Sequence, residues 1–194
     1  MRRAGVLLHP TALPGTPGSG SFGAVAHGWI DALADHGIRA WQILPLAPPD
    51  GAASPYSSPS SFALNPWFLD ADRLVESGLL EPSDLEGLPQ GSGGDRLDSG
   101  LASRRSALLA QALWRRSSGW PPALLERFQR WCQRERFWLQ DHCRFTVVRE
   151  QQGLKPWWQW PPDLARRKAS ALAALDRQQQ GPLLQATLLL PHQG

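Results

Sequence analysis

The sequence predicts an α/β fold that opens on one parallel βαβ unit and continues as helices, and three observations carry that reading. Two short apolar runs, Gly5-Val6-Leu7-Leu8 and Ala40-Trp41-Gln42-Ile43-Leu44, each end at a proline-bearing loop. Between them lies a segment whose apolar residues recur at helical spacing. After Pro66 the spacing stays helical, and no later run has the brevity and sharp boundaries of a buried strand.

Each element has its own reason. Gly5–Leu8 is too short for a helix and is closed by His9-Pro10, so it reads as a strand. The Gly15–Gly23 segment, with Gly18 and Gly20, reads as a turn, and Ser21 is placed to cap the helix that follows. In that helix Ala26, Trp29, Ile30 and Leu33 fall at i, i+3, i+4 and i+7, and Gly37 is placed to end it in a left-handed conformation. Ala40–Leu44, closed by Pro45, is the second strand. Strand, helix and strand in this order require parallel pairing and a right-handed crossover. Two strands are too few for a stable sheet, so the fold calls for further strands.

Trp67-Phe68-Leu69 leads into the segment Asp70–Leu80, followed by a Pro-, Gly- and Ser-rich linker over Glu81–Gly100. Helices are predicted over Leu101–Arg116 and Leu124–Arg149, separated by Pro121-Pro122. Trp157, Trp158 and Trp160, flanked by Pro156 and Pro161, read as a hydrophobic clamp between helices. A last helix runs from Asp163 to about Gln180, where Gly181-Pro182 reads as a breaker before an apolar tail, Leu183–Leu190. The organisation that follows is residues 1–66 as the βαβ unit with its loops, 67–178 as a mostly helical subdomain and 179–194 as a divergent tail.

A chain of 194 residues, 42% hydrophobic and 19% charged, has globular composition and suits one ordinary domain or part of a larger one. The formal charge of +3 is mild, and the arginine pairs Arg2-Arg3, Arg104-Arg105, Arg115-Arg116 and Arg166-Arg167 are scattered among apolar residues. They read as solvated helix faces, and no nucleic-acid motif accompanies them. Cys132 and Cys143, if they share one helix, lie roughly 16 Å apart, beyond disulfide reach and on one face of the same core. That usage fits a reducing, cytoplasmic compartment. The N-terminal apolar run is too short for a signal-peptide core, and no stretch approaches the ~18 residues of a membrane span. His9, His27, His36, His142 and His192 show no ligand spacing, so neither metal nor cofactor is expected.

Several segments, in this order and spacing, are specific: Gly5-Val6-Leu7-Leu8-His9-Pro10-Thr11, Gly18-Ser19-Gly20-Ser21-Phe22-Gly23, Trp41-Gln42-Ile43-Leu44-Pro45-Leu46, and Ser54-Pro55-Tyr56 followed by Asn65-Pro66. Phe137-Trp138-Leu139-Gln140-Asp141 and Lys155-Pro156-Trp157 extend the pattern. Over about residues 4–178 the chain resembles the amylomaltase or 4-alpha-glucanotransferase family, glycoside hydrolase family 77. The resemblance implies the N-terminal part of a (β/α)8 TIM barrel with a large helical insertion, the barrel being incomplete in this chain. It implies transfer of α-1,4-glucan segments by a retaining double displacement, with malto-oligosaccharides, amylose or glycogen-derived glucans as partners. Such a reaction needs a carboxylate nucleophile and a carboxylic acid ~5–5.5 Å apart. The family's acids lie on later strands, so no catalytic residue is carried over, and the chain is expected to be a truncated form, inactive alone.

The resemblance does imply substrate-binding residues. Tyr56, the sole tyrosine, matches the family's Ser-Pro-Tyr at the donor side of the cleft, where a ring covers the apolar face of a glucose. Ser54 and Asn65 flank it, although both residue types are also ordinary turn formers, and His9 ends the first strand at the cleft floor or serves as a structural histidine. The family's usual Gly-Tyr-Gly-Asn is replaced by Asp50-Gly51-Ala52-Ala53. Asp31, Asp35, Asp50, Asp70 and Asp72 read as solvated or capping carboxylates. Two other readings stay open, a non-catalytic glucan-binding module and a helical interaction protein. Assembly state is not specified by the sequence.

Overall fold

The computed structural model describes residues 4–90 and 96–191, so Arg2, Arg3 and His192 lie outside the described residues. Strand β1 (Gly5–Leu7) pairs in parallel with β2 (Ala40–Gln42), Val6 opposite Trp41, and α1 (Ala24–Asp35) makes the crossover. Gly37 sits at φ +70° and ends α1 in the left-handed region, as its placement predicted. The indole of Trp41 donates to the Leu8 carbonyl at 2.8 Å, which ties the second strand to the exit of the first.

Ser21 does not cap α1. Gly23 occupies that position without a side-chain bond, and Ser21 Oγ donates instead to Asp70 Oδ2 at 2.7 Å. Asp70 in turn caps α2 (Ala71–Glu76) by accepting from the Arg73 N–H at 3.2 Å. The glycine-rich turn is therefore a clasp. Its backbone N–H groups donate from Gly20 to Thr11 O and from Phe22 to Phe68 O, and Gly18 O accepts from Asp98 N, the cap of α3 (Ser99–Ser117).

The rest is helical: α4 (Pro122–Arg134), α5 (Arg136–Gln151), α6 (Pro162–Ala165), α7 (Ala169–Gln178) and α8 (Gln180–Leu188). The helix expected over Leu124–Arg149 is two helices, broken at Glu135, so the two cysteines lie on different helices. They nevertheless meet one apolar cluster, Cys143 buried with Leu139 and Ala63 and Cys132 packed against them. The helix expected from Asp163 is also divided, with Arg167 at φ +54° between α6 and α7.

Gly181-Pro182 does not break the chain but lies in the first turn of α8, where a proline lacks no needed donor. Leu188 of this helix is fully buried with Leu109, Leu113 and Trp120, and Leu190 joins the cluster of Leu139 and Cys143. Only one tryptophan of the expected clamp acts as one: Trp160 is buried against Phe145 and donates to Lys155 O, whereas Trp157 and Trp158 are exposed. Among the arginine pairs, Arg105 departs from the solvated reading, being buried with its guanidinium donating to the Trp67 carbonyl. Arg116 is half-buried and bridges Glu81 and Asp84. No helix among the described residues is long and apolar enough to cross a membrane.

Candidate functional site

Both strands deliver their chains into turns that face each other. After β1, His9 caps a single 3-10 turn (Pro10–Ala12), and after the loop that follows β2, Asn65 caps a second (Pro66–Phe68). Each has proline at its first position, where the fixed φ favours the turn and the missing N–H costs no bond. The two turns are joined directly. His9 Nε2 lies 3.4 Å from the Pro45 carbonyl, and the His9 ring tilts against Phe68 at 5.6 Å.

The protonation of His9 follows from its partners. Thr11 donates its backbone N–H to Nδ1 at 3.4 Å, with its hydroxyl also 2.9 Å away, so Nδ1 is the acceptor and Nε2 carries the hydrogen given to Pro45. Burial pushes the imidazole pKa down, and the Pro45 carbonyl only partly offsets it. His9 is thus a neutral latch between the two strand-end loops, with both nitrogens occupied. Thr11, which fixes the tautomer, is a site residue that sequence reasoning missed, although it stands two positions after the histidine.

Asn65 is buried at 3% exposure. Its Oδ1 accepts from the Trp67 N–H at 3.1 Å, and its own N–H donates to Leu46 O at 2.7 Å. Arg105 holds the next residues from behind through Trp67 O; burial lowers its pKa to about 10, with Asp70 opposing. No pattern in the sequence marked Arg105 for this task.

His9, Thr11, Asn65 and Trp67 line one cavity of about 160 Å³, with Pro45 and Pro55 also on its wall. Small-molecule pockets generally begin near 300 Å³, so this cavity is too small to enclose a whole drug-sized ligand. Ser54 and Tyr56 are not in its lining. Ser54 Oγ accepts from the Tyr56 N–H at 3.3 Å and shapes a turn, while Tyr56 is 74% exposed. The loop carrying them is organised by Asp50, whose carboxylate accepts from the Ala52 N–H at 2.9 Å and the Ser57 hydroxyl at 2.5 Å. Those two bonds, the hydroxyl first, hold the Asp50 carboxyl below the usual carboxylate range. Ala53 takes φ +56° here.

A larger open groove of about 1070 Å³ lies between α2 and α4, with Phe22 and Phe68 also on its wall. Three arginines on it are engaged with acids, Arg73 with Glu76, Arg130 with Glu126 and Arg134 with Glu135. Asp50 and Asp70 serve as loop and helix caps, matching the reading of their sequence context. Among the described residues no three metal-ligating side chains converge.

The strand-end loops fall within the span, residues 8–187, over which the chain matches the family described as 4-alpha-glucanotransferase, a match that continues past residue 178 into α8. Among curated proteins, it is 39% identical over 172 residues to a 4-alpha-glucanotransferase of Synechocystis sp., covering 88% of this chain and 34% of that one. The corresponding enzyme of Streptococcus pneumoniae is 40% identical over 179 residues, covering 91% and 35%. The chain thus spans about a third of the length of these relatives. Among solved structures, amylomaltase from Streptococcus agalactiae in complex with acarbose superposes with a TM-score of 0.86 at 25% identity, covering 99% of this chain and 39% of that one. With turns, clasp and helical body all inside one continuous match, the chain belongs to the 4-alpha-glucanotransferase family.

Proposed function

We propose that this chain forms the opening part of a (β/α)8 barrel that handles α-1,4-glucans, supplying one wall of the sugar cleft in a 4-alpha-glucanotransferase. The observation that carries the reading is the convergence of the His9 and Asn65 turns on one cavity at the exits of two parallel strands. Strand exits are where barrel enzymes place their chemistry. In this reading Tyr56 lies over the rim with its ring free to cover a glucose face, Ser54 sets its turn, and Asn65 and His9 shape the floor. Acarbose in the Streptococcus agalactiae amylomaltase supports an oligosaccharide as the ligand class.

The reaction proposed is retaining transfer of a glucan segment by double displacement, which needs two carboxyl groups across the glycosidic bond. We assign neither to this chain, since Asp50 and Asp70 are committed to backbone capping. The test has two arms. Maltotriose incubated with the chain should yield no glucose or longer glucans, and maltotriose binding by calorimetry should weaken about tenfold in Tyr56→Ala, as for the loss of one aromatic contact. Turnover by the chain alone, or unchanged binding in the variant, overturns the reading.

A further inference from the structure

Beyond the strand-end cavity, the loop that carries Tyr56 ends in an exposed aromatic corner. Phe62 and Phe137 meet edge to face, centroids 5.3 Å apart at 89°, and both remain more than half exposed. Phe62 lies flat over Trp138 at 6.0 Å and 16°, and Trp131 meets Trp138 edge-on at 6.3 Å. We propose that this corner is a second binding platform for an α-1,4-glucan, engaging the part of the chain that runs beyond Tyr56; this rests on the glucan reading above.

The corner is held rigidly. Ser60 Oγ accepts the N–H groups of both Phe62 and Ala63, at 3.2 and 3.0 Å, and Ala63 is buried against Leu139 and Cys143 of α5. On the α5 side, Trp138 Nε1 donates to Glu135 Oε2 at 2.9 Å, and Arg134 bonds the other Glu135 oxygen at 2.7 Å. Rings fixed before binding lose little freedom when a ligand arrives. Two walls at right angles suit a curved chain of pyranose rings, whose apolar faces stack and whose edge hydroxyls meet the polar rim at Glu135.

The charge pattern favours a neutral ligand. Nucleic acid also stacks on exposed rings, but it calls for a run of free cations, and here Arg134 is paired with Glu135, leaving the exposed Arg136 beside Phe137. Continuity favours the same ligand as at Tyr56. Phe62 lies six positions after Tyr56, a span of at most about 20 Å, so one oligosaccharide reaches both.

Calorimetric titration with maltotriose and with maltoheptaose separates the sites. Phe137→Ala is expected to weaken maltoheptaose five- to tenfold and leave maltotriose unchanged, with Phe137→Trp retaining the affinity. Phe62→Ala should behave like Phe137→Ala. Unchanged maltoheptaose affinity in both alanine variants overturns the platform even where Tyr56→Ala weakens both sugars. If Tyr56→Ala affects neither sugar while Phe137→Ala weakens maltoheptaose, the platform stands and the Tyr56 reading falls. Absence of maltoheptaose binding by the unaltered chain, or a dimer in sedimentation that Phe137→Ala dissociates, also overturns the platform.

Discussion

Replacing Gly20 by alanine tests whether the glycine-rich turn is a clasp for the site. An added Cβ would stand 2.1 Å from Pro10 O, 2.7 Å from Leu13 O and 2.8 Å from Leu13 Cβ. Two of the three neighbours are backbone, so no side chain can swing aside. The Pro10–Leu13 turn would have to retreat by about 1 Å to restore ordinary contact distances. That movement strains the Gly20 N–H bond to Thr11 O, now 3.1 Å, beside the residue that fixes the His9 tautomer. Overpacking costs about 1–3 kcal/mol and one hydrogen bond about 1 kcal/mol, so the expected loss is about 2–4 kcal/mol. Urea denaturation should show the midpoint falling by about 1 M or more with the slope unchanged. Gly28 is the control, because it sits in α1 with nothing within 4 Å of its added Cβ. Gly28→Ala should stabilise by about 0.5–1 kcal/mol through helix propensity alone. A Gly20→Ala protein within about 0.5 kcal/mol of the parent would refute the clasp.

Two further predictions concern groups that titrate. Burial raises the pKa of both Cys132 and Cys143 to about 11, so the neutral thiol is favoured in the folded state. Their stabilising contribution is full below the ordinary thiol value of 9.0 and is lost as pH rises towards 11; at pH 8 a disulfide reagent should label them only on unfolding, and rapid labelling of the native protein would contradict this. Asp50 carries the opposite sign: its lowered pKa orders the loop above the usual carboxylate range, and that order fades as pH falls through the lower folded value. Asp50→Ala should therefore speed chymotrypsin cleavage after the exposed Tyr56 several-fold at neutral pH while the melting temperature stays put, and equal cleavage rates would remove Asp50 from its organising role.

The βαβ opening was legible because its signals are local: short apolar runs, prolines at their ends and a glycine where α1 must stop. What the sequence hid depends on partners far along the chain. No glycine or proline marks the break at Glu135, whose carboxylate is held by Arg134 on one side and Trp138 on the other. Gly181-Pro182 carries the residue types of a helix end but occupies a helix start, where the same proline is tolerated. Arg105 looks like any helix-surface arginine until the Trp67 carbonyl, 38 residues away in sequence, comes to lie against it. Ser54 and Asn65 each have two readings in the sequence, and the structure gives both a turn-forming bond.

These contacts also decide where the site gets its rigidity. Leu7 of β1 and Ile43 just past β2 are exposed, and α1 exposes Val25 and Ile30, so this unit presents apolar surface to water. Parallel strands are normally covered on both faces, and a pair in this state contributes little to holding its own loops. The cavity residues are anchored elsewhere. His9 and Thr11 are tied through Gly20 to the clasp, the clasp reaches α3 through Asp98, and Trp67 is gripped by Arg105 of α3 and by Ser103, to which its indole donates at 3.2 Å. The helical body therefore sets the positions of the strand-end turns, and the strands serve chiefly to bring His9 and Pro45 within latch distance.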